Sequence, residues 1–321
     1  MNNISKFYMG NAGLALRLVV GWTYFSAFWR RLILENKLDP DAAGYVGEKF
    51  NHFLPNALFI KPLIEYLVTH PEALLLKMWV FTIVEGIVGL LLILGYRTRL
   101  MSFIVIFLAL GILLGSGWLG TTCLDEWQIG ILGIAGGFTL LQLGSGKISL
   151  DALSSQFEVR EAKWMKALQH QFYKPFVIMS FAILGLSLYT NQVFHGGVFG
   201  TLHNKSVKPK LEITNTVQNG KNTSFDVMRV EGADVYGSFL IGIDFYNKNG
   251  QKIYSLGMEE LRNFPKENIS NYYVSKIVPH KNSLLLPLGA KAKLNFEIQE
   301  QVHEMVLTDI SGLQWKANFK N

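Results

Sequence analysis

Five apolar runs, Ala12–Leu34, Ala73–Gly95, Leu100–Trp118, Trp127–Leu143 and Pro175–Phe194, constrain this chain more than any other feature. Each is close to the roughly 20 residues that a helix needs to cross the hydrocarbon core of a bilayer. No water is present there to satisfy a free N–H or C=O, so such runs must be helical. Composition agrees. Only 17% of the 321 residues are charged, against about 25% in an ordinary soluble domain, and mean hydropathy is positive. Thirty glycines, many inside the apolar runs, suit helices that pack through small residues. The net charge of +6 is dispersed, without the basic block that nucleic acid demands. The first run contains Arg17, ends in Trp29-Arg30-Arg31 and has no small-x-small cleavage site, so it reads as a retained helix and not a secretory signal.

Between the first two runs lies a long polar segment, Glu35–Glu72, punctuated by Asp39-Pro40-Asp41, Pro55 and His70-Pro71. Within it Tyr45–Phe53 and Leu58–Leu67 read as short amphipathic helices lying on the membrane surface. The second and third runs are joined by Tyr96-Arg97-Thr98-Arg99. This turn is short enough for a tight helical hairpin, and its two arginines put it on the cytoplasmic side. Lys147, Arg160, Lys163 and Lys166 after the fourth run point the same way. Five spans then carry the C-terminal part outside a cytoplasmic (inner) membrane, on the same face as Glu35–Glu72 and Gly115–Trp127.

After Phe194 the pattern changes to short alternating segments: Lys210–Val217, Ser224–Val230, Tyr236–Phe245, Lys252–Leu256, Asn271–Val278, Lys291–Ile298 and Met305–Ile310. Turns such as Gln218-Asn219-Gly220 and Lys248-Asn249-Gly250 separate them. Seven strands in this space predict an antiparallel, Ig-like β-sandwich. The expected architecture is thus a helical membrane bundle of about five helices, a four-helix core plus an anchor helix, followed by an all-β domain. The expected boundaries are 1–172, 173–195 for the fifth helix and linker, and 196–321.

Several polar groups stand out. Arg17 and Glu85 lie inside apolar runs, where an unpaired charge costs several kcal/mol. At 1.5 Å per residue they lie about 9 and 16 Å from the cytoplasmic end, so a clasp between them is expected. Arg99 is a second structural charge. The sharper alternative makes Glu85 a proton relay or a contact for a bound lipid headgroup or quinone. Arg30 and Arg31 close the first helix; interfacial arginines commonly snorkel to lipid phosphates, yet a guanidinium pair also fits a small dianion. His52 and His70 read as loop histidines, with His70 able to titrate near a substrate. Cys123 is the only cysteine, which excludes an intrachain disulfide and any multi-cysteine metal site. It could be a small buried hydrophobe. Its polar turn, Thr122-Cys123-Leu124-Asp125-Glu126-Trp127, makes it a candidate nucleophile instead, although Asp125 and Glu126 would oppose a thiolate or turn to the arginines. Trp29 and Trp127 stand beside the charged motifs and are the aromatic residues best placed to line a binding slot; Trp22, Trp79 and Trp118 fit an interfacial belt.

Leu16-Arg17-Leu18 with Gly21, Glu85-Gly86 with Gly89, and Gly95-Tyr96-Arg97-Thr98-Arg99 together resemble the DoxX-like membrane superfamily. Ser26-Ala27-Phe28-Trp29-Arg30-Arg31, Lys37-Leu38-Asp39-Pro40 and the Thr122–Trp127 motif are similar to the DoxD subunit of thiosulfate:quinone oxidoreductase. Gly200-Thr201-Leu202-His203 and Tyr236-Gly237-Ser238-Phe239 resemble its DoxA partner, so the chain reads as a fusion of the two.

The resemblance implies oxidation of thiosulfate to tetrathionate with a membrane quinone as acceptor. Arg30, Arg31, His70 and Trp127 would then bind substrate, and Cys123, Glu85, Asp125 and Glu126 are the candidate catalytic residues. Cys123 could carry thiosulfate as an S-thiosulfonate. No motif for metal, haem, flavin or iron–sulfur binding is present. The expected partners are thiosulfate, quinone and lipid, with a homo-oligomer left open. A non-catalytic membrane scaffold and an anion transporter are the alternative readings; the latter lacks the internal repeat usual in transporters.

Overall fold

A computed structural model of the chain describes residues 10–42, 45–117, 125–153, 173–196, 198–200, 208–232 and 238–319. The helices in chain order are α1 (Leu14–Phe28), which continues into a π-helical segment (Trp29–Leu34), α2 (Gly47–Phe53), α3 (Lys61–Thr69), α4 (Pro71–Leu94), α5 (Thr98–Ser116), α6 (Asp125–Leu143), α7 (Leu150–Leu153), α8 (Tyr173–Phe194) and the short α9 (Met258–Arg262). Helical segments are therefore more numerous than the five apolar runs, because the polar connections carry short helices of their own. Among the described residues three helices are long and apolar enough to span a membrane: Pro71–Leu94, Thr98–Ser116 and Pro175–Phe194. Such spans make this a membrane protein. The first run is interrupted by the π segment, and Glu126, Gln128 and Gln142 dilute the apolarity of α6.

The chain divides into two compact units, and Gly47–Leu74 groups with the C-terminal part. In the helical unit, α1 and α4 run antiparallel. A Cβ on Gly21 would lie 2.9 Å from the Gly89 carbonyl oxygen, and one on Gly86 would lie 2.7 Å from the Phe28 ring. A second seam joins α5 and α6, where Cβ atoms on Gly130, Gly133 and Gly137 would press on Leu113, Ala109 and Ile106 at 2.8–2.9 Å. Lipid removes the hydrophobic drive between helices, so close approach at small residues must supply the dispersion contact that holds the bundle.

The α4–α5 hairpin is as tight as its sequence predicts. Gly95, at φ +67, ends α4 with the N–H of Tyr96 on the Leu91 carbonyl (2.8 Å) and its own on that of Leu92 (3.0 Å), a pairing that needs a left-handed residue. Asp151 then supplies the N-cap of α5, accepting from the N–H groups of Arg97 (2.7 Å) and Thr98 (3.1 Å).

The second unit contains ten strands among the described residues. They are β1 (Lys210–Asn219), β2 (Asn222–Glu231), β3 (Ser238–Tyr246), β4 (Lys252–Leu256), β5 (Ile269–Asn271), β6 (Val278–Pro279), β7 (Leu284–Leu286), β8 (Lys291–Glu297), β9 (Glu304–Asp309) and β10 (Gln314–Asn318). One sheet has the order β1-β2-β8-β5 and the other β10-β9-β3-β7-β6, with β4 added on β3. All pairings are antiparallel. Alternation along β8 turns Ala292, Leu294 and Phe296 inward, where Phe296 stacks on Phe225 at 5.6 Å and meets Phe245 edge-on at 5.2 Å. Burying each such side chain stabilises the fold by roughly 1.5–3 kcal/mol.

Two expectations for this unit change. Asn271–Val278 is not one strand. The Asn271 side chain donates to the Ile277 carbonyl (3.0 Å) and accepts from its N–H (2.7 Å), closing a loop that separates β5 from β6. The α2–α3 segment is helical as expected, but its apolar side is not committed to lipid. Leu54, Ile64 and Val68 are buried against Met228 and Tyr273. Asn51, fully buried, accepts from the Ser275 N–H at 3.1 Å and donates to the Gly289 carbonyl at 3.4 Å.

Candidate functional site

The π segment opens the site. A π turn inserts an extra residue and rotates the next residues about the helix axis, and such turns recur at functional positions. Here it delivers Arg31 onto the face of α1 that packs on α4. Nη1 of Arg31 lies 2.6 Å from Oε2 of Glu85 and donates to Thr82 Oγ1 at 3.2 Å. The Glu85 side chain is 4% exposed and that of Arg31 19%. Thr82 is fully buried, as nearly is Tyr24, whose ring faces this side of the bundle. The guanidinium carbon sits 5.9 Å from the Phe81 ring.

The expected clasp between Arg17 and Glu85 is therefore replaced by Arg31–Glu85. Side chains on a helix lean toward its N-terminus. On antiparallel helices Arg31 and Glu85 lean toward each other, whereas Arg17 leans away from Glu85. Counting depth along the axis alone misses this. Nη1 of Arg17 donates instead to the Ser145 carbonyl and Nη2 to that of Ile148 (2.6 Å). Nε of Arg99 reaches the Leu141 carbonyl at 3.2 Å. Arg99 thus holds the last turn of α6 and Arg17 the chain leaving it, and Asp151 lies within electrostatic reach of Arg17.

Arg31 uses only part of its capacity. A guanidinium carries five N–H donors. Those of Nη1 are spent on Glu85 and Thr82, and Nε and Nη2 have no protein partner among the described residues. Arg30, beside it, bonds among the described residues only through Nε, to the Ser26 carbonyl at 3.3 Å. The free Nε–Nη2 edge of Arg31 has the geometry that grips an oxyanion bidentately. An aromatic ladder, Trp22–Phe25–Trp29 with centroids 6.1 and 6.0 Å apart, climbs α1 toward it; Trp22 and Trp29 are exposed.

The other expected residues are dispersed. Nε1 of Trp127 donates to Thr190 Oγ1 at 3.0 Å, tying α6 to α8, and its ring meets His195 edge-on at 6.3 Å. Glu126 is half-buried on the first turn of α6. Cys123 and the side chain of Asp125 lie outside the described residues. His70 belongs to the second unit, stacked 4.3 Å from Tyr66 with Nδ1 bonded to the Tyr66 carbonyl (2.8 Å) and Thr69 Oγ1 (3.0 Å). Among the described residues no cluster of three His, Cys, Asp or Glu side chains could hold a metal ion. Thr82 and Tyr24 escaped the sequence reading, since an isolated polar residue in an apolar helix signals nothing until its neighbours are known.

Comparison with known proteins adds the family. A model described as "TQO small subunit DoxD" matches residues 13–179, more than half of the chain. A second, "TQO small subunit DoxA", matches residues 194–318. No solved structure matches the chain. The Arg30-Arg31 doublet, Glu85 and the Arg97–Arg99 hairpin all fall in the first match, and the β-sandwich strands in the second. The chain belongs to the DoxD family of thiosulfate:quinone oxidoreductase small subunits, with a DoxA domain fused behind it.

Proposed function

We propose that this chain is itself a membrane oxidoreductase that converts thiosulfate to tetrathionate and passes the electrons to a membrane quinone. Two thiosulfate dianions lose one electron each as a sulfur–sulfur bond forms between them; the quinone takes both electrons and two protons. Bringing two dianions together is opposed by their charge, and fixed cations at the meeting point lower that barrier. The observation that carries this reading is the half-used guanidinium of Arg31, held in place by Glu85 and Thr82 with its Nε–Nη2 edge free. Arg30 adds a second cation on the same turn. The exposed Trp22–Phe25–Trp29 ladder offers a flat aromatic approach for a quinone ring from the lipid phase.

Cys123 would carry the first thiosulfate. Its thiolate and thiosulfate join as an S-thiosulfonate while two electrons pass to the quinone; the second thiosulfate then displaces the thiolate and leaves as tetrathionate. The arginine-rich hairpin between α4 and α5 favours a cytoplasmic position for that turn; with the less apolar α6 also crossing, as its sequence suggests, the DoxA domain is extracytoplasmic.

The test is purified protein in nanodiscs with thiosulfate and a water-soluble quinone, followed by quinone absorbance and tetrathionate yield. The expected result is quinol and tetrathionate in equal amounts, with turnover lost in Arg31→Ala. Both family descriptions use the word subunit, which favours a second reading, a non-catalytic component of a larger enzyme. Inactivity of the pure chain, restored by a membrane fraction, would select it.

A further inference from the structure

The Arg31–Glu85 pair is more than an anchor for a substrate arginine, because the two groups bind different things. The Arg31 side chain is 19% exposed and its Nε–Nη2 edge has no partner among the described residues, whereas the Glu85 side chain is sealed at 4%. Among the described residues, the charged or titratable groups facing Glu85 are few. Arg31 reaches it from the π segment, and Tyr24 of α1 lies within its electrostatic influence. Its own helix contributes the neutral Thr82. The α5 face packed here presents Met101, Val105 and Leu108, and on α6 the side-chain-free Gly133 lies beside the Tyr24 hydroxyl. One cation therefore balances one anion in a setting with little else to screen them.

We propose that the site is proton-linked: a divalent oxyanion that docks on the Nε–Nη2 edge of Arg31 drives protonation of the buried Glu85 carboxylate. With the site empty, the pair is neutral. A dianion on the same guanidinium leaves that corner with an excess of negative charge in a low-dielectric setting, where repulsion acts at nearly full strength. Taking a proton onto Glu85 removes one of the charges and leaves the carboxylic acid beside Thr82 and Arg31. By linkage the effect is reciprocal: the proton strengthens anion binding as much as the anion strengthens proton binding. Naming the anion as thiosulfate rests on the function proposed above; the coupling itself applies to any dianion of that size.

The experiment is titration calorimetry of the whole chain in nanodiscs, with sodium thiosulfate and with sulfate as a redox-inert dianion. Runs in buffers of different ionisation heat between pH 6.5 and 8.5 measure the protons taken up. The expected result is an uptake approaching one proton per anion, with Kd rising up to about tenfold per pH unit. Glu85→Gln keeps an oxygen for Arg31 to bond; it should bind either anion more tightly, with a flat pH profile and no uptake. The wild-type measurement stands even if that variant folds poorly. Binding without proton uptake, or uptake that persists in Glu85→Gln, overturns the proposal. Absence of binding by either anion overturns both it and the thiosulfate reading. Proton-linked binding of both anions without quinone reduction keeps the coupling and removes the oxidoreductase assignment.

Discussion

The carbonyl oxygen of Asn51 occupies the place where a side chain on Gly289 would begin. Gly289 also stands at φ +75, a region that L residues with a Cβ enter at a cost. This contact, with the Asn51 bonds to Ser275 and Gly289, fastens the α2–α3 segment to the sandwich. Gly289→Ala should dislodge α2, and Asn51→Ala should leave the Ser275 N–H unsatisfied at a cost of about 1–3 kcal/mol. Limited proteolysis is the check: cleavage within Gly47–Leu74 should accelerate in both variants while the β-domain survives.

Arg31→Ala leaves a carboxylate sealed between helices. Removing one partner of a buried pair costs about 3–5 kcal/mol, while replacing both by apolar groups is often neutral. Arg31→Ala should lower the unfolding temperature in detergent sharply, and Arg31→Met combined with Glu85→Leu should recover most of the loss. A single variant as stable as wild type would show that the pair does not hold α1 to α4.

Asp151 caps a helix that begins 53 residues earlier in the chain. Asp151→Ala removes both acceptors from the Arg97 and Thr98 N–H groups, a loss of about 0.5–2 kcal/mol. Asp151→Asn keeps one acceptor oxygen and should lose less. Thermal unfolding of the two variants in one detergent should rank them in that order.

Tyr273 has its phenol pushed up to about 12 by burial first and by the neighbouring Glu65 carboxylate second. The Tyr273 hydroxyl donates to Glu65 at 3.3 Å, joining α3 to the sandwich. A raised folded pKa means stability that is complete below the unfolded value near 10 and lost as pH climbs through the folded one. The α3 contact should therefore weaken between pH 10 and 12. The ultraviolet titration of wild type minus Tyr273→Phe should show one tyrosine ionising late; a difference midpoint near 10 would refute this.

The apolar runs and the hairpin were legible in the sequence because each depends on residues close together in the chain. Gly95 ends α4 through its own backbone freedom, and about 20 apolar residues can satisfy their backbone in lipid only as a helix. The same holds for the strands of the sandwich core, where alternation alone separates Leu294 and Phe296 from their outward neighbours. The short β7 and β10 gave too few residues for a period to show, and Asn271 broke an expected strand by bonding across a loop.

Which charges meet was decided by tertiary structure. Arg17 and Arg31 sit on the same helix and are equally plausible partners for Glu85 from the residue string. The choice depends on the antiparallel run of α1 against α4, on the lean of side chains toward each helix's N-terminus, and on a π turn that rotates Arg31 inward. The α2–α3 segment makes the same point, since its amphipathic pattern marks an apolar face without saying what will cover it. Periodicity reports that a side chain needs a partner; only the packed chain supplies one, because the groups that satisfy it come from residues tens or hundreds of positions away.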